Sequence, residues 1–119
     1  MDKQDAISRI CNPGVIAIIR AEDSNGLVRA AHALYRAGVK AVEISLTTPG
    51  TWPAIEAIRR DLPEGCLIGV GTVLDTATLD QSVSAGAQFA VSPVFKAEVV
   101  QACNGHGLPM VCGAYTPTE

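Results

Sequence analysis

The segment Arg36–Thr48, RAGVKAVEISLTT, joins the end of a helical pattern to a strand pattern through one glycine, Gly38. A second segment, Ser84–Pro93, SAGAQFAVSP, repeats this arrangement around Gly86. Glycine often follows the last residue of a helix because it adopts the left-handed conformation without strain. Both segments therefore predict a helix end that leads directly into a strand. The predicted strands are apolar along most of their length, which indicates parallel strands buried between helices.

The same alternation of strand and helix patterns continues along the chain. Runs of β-branched apolar residues are separated by segments of helical periodicity, which begin near Ser, Thr or Asp and end near Gly or Pro. The predicted strands are Val15–Arg20, Ala41–Thr47, Leu67–Val73, Phe89–Val94 and Pro109–Ala114, and the predicted helices are Ser24–Ala37, Thr51–Asp61, Asp75–Ala85 and Lys96–Asn104.

This βαβαβαβαβ order fits two α/β architectures. One is a (β/α)8 barrel, of which 119 residues would supply only the first five units, since a whole barrel needs at least about 200 residues. The other is a five-stranded open parallel sheet of the doubly wound type. No linker or low-complexity segment divides the chain, so we expect residues 1–119 to form a single α/β domain. Periodicity does not choose between the two architectures.

The composition excludes several classes of function. The chain is 48% hydrophobic and 18% charged, with 9 basic and 12 acidic residues and a net charge of −3. No basic cluster indicates nucleic acid as a partner, and no apolar run approaches the roughly 20 residues that span a bilayer. The four cysteines do not form metal-ligand spacings. We expect reduced thiols, no metal, no cofactor and a cytoplasmic location.

Polar residues at the carboxyl ends of parallel strands are the candidates for an active site. Glu43 is the most informative, because a carboxylate within an apolar strand costs several kcal/mol unless it is paired or protonated. A pKa raised toward neutrality would suit general acid–base chemistry. The alternative is a structural ion pair with Arg20 at the end of the neighbouring strand. Arg20 itself is a candidate for binding a carboxylate or phosphate.

The segment Gly69–Thr72, GVGT, is neither a dinucleotide fingerprint nor a phosphate-binding loop, because Leu74 stands where the third glycine would be and no Gly-Lys-Ser/Thr follows. Gly69 and Gly71 within a strand indicate close approach by a ligand or a neighbouring group. Thr72 is either a substrate-binding hydroxyl or an ordinary threonine at a strand end.

Taken together, five segments resemble the 2-keto-3-deoxy-6-phosphogluconate (KDPG) and 4-hydroxy-2-oxoglutarate (KHG) aldolase family. The resemblance begins near Val15 and continues to Glu119. The segments are VIAIIRAED, ALYRAGVKAVEISLTTPG, IGVGTVLD, AGAQFAVSP and GAYTPTE.

The resemblance implies a (β/α)8 barrel, commonly a homotrimer, that cleaves a keto acid or phosphorylated sugar acid to pyruvate and an aldehyde without a metal. A lysine forms a Schiff base with the 2-keto carbon, and a glutamate moves protons. By resemblance, that glutamate is Glu43, and Arg20, Thr72 and Pro93 line the substrate pocket. Some members carry an arginine where this chain has Thr47, so the resemblance leaves the sugar acid open.

The Schiff-base lysine of the family lies on a sixth strand, which these residues do not supply. The lysines present, Lys3, Lys40 and Lys96, are expected to be ordinary solvated side chains. The final residues, TPTE, read as the start of a helix with Thr116 or Thr118 as its cap. We therefore expect a truncated barrel that is inactive alone.

The alternative function is a non-catalytic α/β module that associates with a partner or binds small acids. The two outer strands of a partial barrel would be unpaired edges. Because such edges invite pairing with another chain, a homo-oligomer is expected.

Overall fold

A computed structural model describes all 119 residues as five helices that alternate with five strands. The helices are α1 (Lys3–Cys11), α2 (Ser24–Arg36), α3 (Thr51–Asp61), α4 (Thr76–Ala85) and α5 (Ala97–Gly105). The strands are β1 (Ala17–Ile19), β2 (Ala41–Ser45), β3 (Leu67–Gly71), β4 (Ala90–Ser92) and β5 (Met110–Cys112).

Every strand and helix predicted from the sequence is present, but the strands are shorter than predicted. The apolar runs extend beyond the regular strand pairing. Phe89 and Val73 lie just outside β4 and β3, yet both are fully buried and each still makes one backbone hydrogen bond to the neighbouring strand region. Sequence reasoning missed α1, whose start is fixed by a capping box between Asp2 and Asp5. The signal was the pair of acidic residues three positions apart, in place of the usual Ser/Thr and Glu/Gln.

The strands form one parallel sheet in the order β1-β2-β3-β4-β5. Parallel crossovers are almost always right-handed, so five strands in sequential order place their connecting helices on one face of the sheet. A doubly wound sheet reverses its strand order and covers both faces. The observed order therefore excludes that arrangement and corresponds to consecutive units of a β/α barrel.

The face toward α2–α5 is an apolar core. Ile19, Ile44, Val70 and Ala90 lie side by side in the strand register and pack into one cluster with buried residues of the four helices. No helix in the structure is both long and apolar enough to cross a membrane.

The opposite face of the sheet, here called the inner face, has a different character. Its amino-terminal end is closed by a small cluster of Ala41, Leu67 and Phe89, against which Ile10 of α1 packs. Because side chains alternate along a strand, the residues of β2 that share the face of Ala41 are Glu43 and Ser45. The fold thus places the acidic residue of β2 away from the helices.

Candidate active site

The side chain of Glu43 lies on the inner face and is only 5% exposed. Glu43 is paired in register with Gly69, and its carboxyl group reaches along the strand to lie over Gly71. The carboxyl group of Glu43 makes no hydrogen bond within the protein, and its oxygens are not among the fully enclosed polar atoms, of which only the Nε2 of His32 lacks a partner. The carboxyl group therefore has no structural hydrogen-bond partner and keeps slight access to solvent.

Burial raises the pKa of Glu43, and the positive charge of Arg20 opposes this rise without cancelling it. Arg20 and Glu43 do not form an ion pair, because none of the salt bridges within 4.0 Å includes either residue. The interpretation of Glu43 as half of a structural ion pair is therefore wrong. A buried carboxyl group with a raised pKa is a candidate general acid or base.

We expect Glu43→Gln to raise thermal stability at pH 7. The folded-state pKa is raised, so the penalty for burying the charge is absent below the ordinary pKa and develops as the pH rises through it. Glutamine removes that penalty, and about 1 kcal/mol corresponds to roughly 4 °C in a domain of this size. Thermal unfolding followed by circular dichroism at pH 4 and pH 7 measures the difference.

The exposed Glu56 on α3 provides the control, since Glu56→Gln should leave the melting temperature unchanged at both pH values. A gain for Glu43→Gln that is the same at pH 4 and pH 7 would show that the charge of the carboxylate is not its cause.

Three hydroxyl groups, here called the hydroxyl cluster, lie at the carboxyl ends of β2 and β3. The Oγ of Ser45 is 2.9 Å from the Oγ1 of Thr47 and 3.2 Å from the Oγ1 of Thr72. Ser45 is fully buried, whereas Thr72 is half-buried. An open cleft of about 360 Å³ adjoins Thr47 and Thr72, but its other walls belong to α3 and the start of α4, and Glu43 does not line it. Ser45 contacts both of the other hydroxyl groups and is the hub of the cluster. Sequence reasoning did not select Ser45 as a site residue, although its position two residues after Glu43, on the same face of the strand, was the available signal.

Thr72 has a φ of 65°, in the left-handed region that β-branched residues rarely adopt. Such backbone strain is concentrated at functional sites, where the surrounding structure holds it. Here the hydrogen bond with Ser45 restrains the side chain. The geometry distinguishes Thr72 from an ordinary threonine at a strand end.

Arg20 follows β1 directly, one residue beyond the last register pair, Ile19 with Ile44. The next backbone amide, that of Ala21, donates to the Oγ1 of Thr48 at 3.1 Å. This bond ties the end of β1 to the end of β2. The guanidinium of Arg20 is exposed and makes no salt bridge, so it is free to bind an anionic ligand at this end of the sheet.

Pro93 follows β4 at the same end of the sheet and is exposed. The backbone amide of Gly113 donates to the carbonyl of Ser92 at 2.9 Å, and a side chain at position 113 would overlap the carbonyl of Pro93. The structure thus brings Pro93 to the rim of the inner face, without a polar side chain to offer a ligand.

None of the three lysines contacts Glu43. The Nζ of Lys96 donates to the carbonyl of Leu74 at 2.8 Å, on the loop after β3. Lys40 precedes β2 at the opposite end of the sheet and lies 5.5 Å from the ring centre of Tyr35. Lys3 donates to the side chain of Asn104 at 2.6 Å. No group of three or more His, Cys, Asp or Glu side chains converges in a way that could hold a metal ion.

The chain is similar in sequence to known aldolases. The family model for KDPG and KHG aldolase matches residues 7–119. The 2-dehydro-3-deoxy-phosphogluconate aldolase of Treponema pallidum is 38% identical over 115 residues, which cover 97% of this chain and 53% of that protein.

Two solved structures share the fold. The KDPG aldolase of Zymomonas mobilis, solved with 3-phosphoglycerate, superposes with a TM-score of 0.85 at 29% identity, covering 98% of this chain and 55% of that one. The KDPG aldolase of Legionella pneumophila, with pyruvate captured as a covalent carbinolamine intermediate, superposes with a TM-score of 0.79 at 30% identity, covering 87% and 50%. The chain thus spans about half the length of the relatives it matches.

Proposed function

The chain belongs to the KDPG and KHG aldolase family over residues 7–119, and we propose that it supplies the proton-transfer part of a class I aldolase site. The substrate is a 2-keto-3-deoxy-6-phospho sugar acid or 4-hydroxy-2-oxoglutarate, and the products are pyruvate and an aldehyde. The observation that carries the proposal is the position of Glu43, buried on the inner face with a raised pKa and no structural partner.

In this reaction Glu43 acts as both the general base and the general acid. A lysine amine adds to the 2-keto carbon, and loss of water from the carbinolamine leaves an iminium ion. The C4 hydroxyl then loses its proton, the C3–C4 bond breaks, and its electron pair passes to the iminium to give an enamine. Protonation at C3 and hydrolysis release pyruvate. Glu43, acting through a water molecule, accepts the C4 hydroxyl proton and returns a proton to C3.

The other residues of the site fit the two ends of such a substrate. Arg20 offers a free guanidinium for a carboxylate or phosphate. Thr72, held beside Ser45, presents a hydroxyl at the carboxyl end of β3. The Zymomonas mobilis relative was solved with 3-phosphoglycerate, a molecule with a carboxylate and a phosphate at its two ends. The Legionella pneumophila relative was solved with a covalent pyruvate carbinolamine, the species that precedes the iminium.

We further propose that these 119 residues do not form the Schiff base by themselves. A Schiff-base lysine needs a depressed pKa, from burial or a nearby cation, and access to the substrate. Lys3 and Lys40 are held elsewhere, and the ammonium group of Lys96 is bound to a carbonyl. By resemblance to the family, the lysine lies on a sixth strand.

Reduction with borohydride in the presence of pyruvate tests this proposal by mass spectrometry. We expect no adduct on the 119-residue chain. We expect one pyruvate per protein on a fused chain, defined as these residues joined to the part of the Treponema pallidum aldolase that lies beyond the matched region. A pyruvate adduct on Lys96 of the 119-residue chain would overturn the proposal that the lysine lies outside it, and no adduct on a folded fused chain would overturn the aldolase assignment.

A second candidate function is binding of a small keto acid without catalysis. The exposed guanidinium of Arg20, which makes no salt bridge and can hold a carboxylate without a covalent step, favours it. Binding of pyruvate to the 119-residue chain without a reducible adduct, together with an inactive fused chain, would support this candidate.

Assembly and location are part of the same proposal. The strands β1 and β5 are each paired on one side only, so each leaves one row of backbone groups without a strand partner. Such edges favour association, and we propose a homo-oligomer, with the trimer of the family as the expected form. Four free cysteines are typical of a reducing compartment, which supports a cytoplasmic location.

A further inference from the structure

We propose that Gly71 is a positioning residue for Glu43, because its missing side chain forms the recess that holds the carboxyl group. This inference rests on the proposed function only in assigning Glu43 its role in proton transfer. The recess itself is a feature of the sheet and can be tested without any substrate.

The space above Gly71 is filled by Glu43. A Cβ atom placed on Gly71 would overlap the Oε1 and Cδ of Glu43 and lie 2.9 Å from its Cγ. These are the three nearest atoms, and all belong to the same side chain. Any larger residue at position 71 must therefore displace the carboxyl group.

Backbone conformation does not explain the glycine. Gly71 and Gly69 are both absent from the set of glycines with positive φ. Alanine could adopt the strand conformation at either position without strain. The requirement for glycine at position 71 is therefore close approach, as expected for a glycine within a strand.

The register explains why the carboxyl group lies over Gly71 and not over its direct partner. Glu43 is opposite Gly69, but the ring of Phe89 occupies the space above Gly69, where a Cβ atom would overlap three ring atoms. The space above Gly69 thus holds the ring of Phe89, and the space above Gly71 holds the carboxyl group of Glu43. Phe89 fills the recess nearer the amino ends of the strands. The side chain of Glu43 is therefore directed toward their carboxyl ends, over Gly71 instead of Gly69.

This direction of the Glu43 side chain brings its carboxyl group to the candidate site at the carboxyl ends of the strands. Gly71 is the register partner of Ser45, the hub of the hydroxyl cluster, and precedes Thr72. Arg20, from the end of β1, is the charged group that acts on Glu43. A Cβ atom at position 71 would move the carboxyl group out of the recess and into contact with water.

A double-mutant cycle tests the proposal on the 119-residue chain. Gly71→Ala should lower the melting temperature by about 4 °C in the native background, the lower end of the cost of overpacking, because the atoms displaced are the end of a flexible side chain whose charge regains water. In the Glu43→Ala background, where the clashing atoms are gone, the same substitution should change it by no more than about 2 °C. Gly69→Ala is the matched control, because it meets Phe89 and should destabilise both backgrounds equally.

A second readout separates positioning from general loss of stability. The carboxyl carbon of Glu43, assigned in ¹³C NMR spectra by comparison with Glu43→Gln, reports its pKa. In Gly71→Ala the pKa should fall toward that of an exposed glutamate. An unchanged or higher pKa would overturn the proposal. So would an equal loss of stability from Gly71→Ala in both backgrounds.

If Gly71→Ala alone does not fold, the double variant Glu43→Ala/Gly71→Ala decides. A melting temperature close to that of Glu43→Ala supports the proposal, and an unfolded double variant overturns it. Neither measurement uses a substrate, so failure of the fused chain to cleave a keto acid would leave this result intact. Conversely, failure of the cycle would leave the aldolase proposal standing.

Discussion

Replacing Glu43 by glutamine in the fused chain is expected to lower the rate of aldol cleavage by about 10²–10⁴-fold, the usual contribution of a positioned general acid or base. Glutamine keeps the size of the side chain and fits the recess over Gly71, but it neither accepts the C4 hydroxyl proton nor delivers one to C3. The loss should therefore appear in kcat, with a small change in KM. Release of pyruvate, measured with a coupled lactate dehydrogenase assay, gives both constants.

The exposed Glu56 on α3 supplies the control, because Glu56→Gln removes a carboxylate of equal charge from the helix side of the sheet. Its kinetics should match those of the unmodified fused chain. A Glu43→Gln variant that retains more than about a tenth of the rate would assign proton transfer to another group.

Replacing Arg20 by methionine in the fused chain is expected to lower kcat/KM by about 10–100-fold. A hydrogen bond between charged groups contributes about 1.5–3 kcal/mol, which corresponds to this range. Binding of a carboxylate or phosphate is used in the ground state as well as in the transition state, so most of the loss should appear as a higher KM. Initial rates at varied substrate concentration separate the two constants.

Arg20→Met should also change the pKa of Glu43. The charge of Arg20 lowers the pKa of Glu43, so its removal should raise that pKa further. The acidic limb of the pH–rate profile should then move to higher pH. Arg29→Met, on the exposed surface of α2, is the control and should change neither KM nor the profile. An unchanged KM in Arg20→Met would show that Arg20 does not bind the substrate.

The order of strands and helices could be predicted because it depends on local patterns. The helix α3, Thr51–Asp61, was placed correctly at both ends, since a threonine starts the pattern and Pro63 and Gly65 stop it. The position of Glu43 away from the helices also follows from alternation within β2. The predicted strands are too long because Val73 and Phe89 remain buried, each with one backbone hydrogen bond to the neighbouring strand region, beyond the ends of the regular strands.

What the sequence did not reveal depends on contacts between distant residues. The recess over Gly71 exists because the register sets Glu43 opposite Gly69 and because Phe89 reaches across from the next strand. The left-handed conformation of Thr72 is likewise invisible, since threonine itself disfavours it. Ion pairing was predicted as an alternative for Glu43 because Arg20 ends the adjacent strand, but the direction of the two side chains is set by the folded sheet.

The most direct test of the account is exchange of the C3 protons of pyruvate with deuterium oxide, catalysed by the fused chain and followed by ¹H NMR. This reaction needs the imine and the acid–base group but no bond cleavage. We predict that Glu43→Gln slows the exchange by about 10²–10⁴-fold while borohydride still traps pyruvate on the protein. Exchange at the unmodified rate in Glu43→Gln would contradict the assignment of Glu43 as the group that moves the proton.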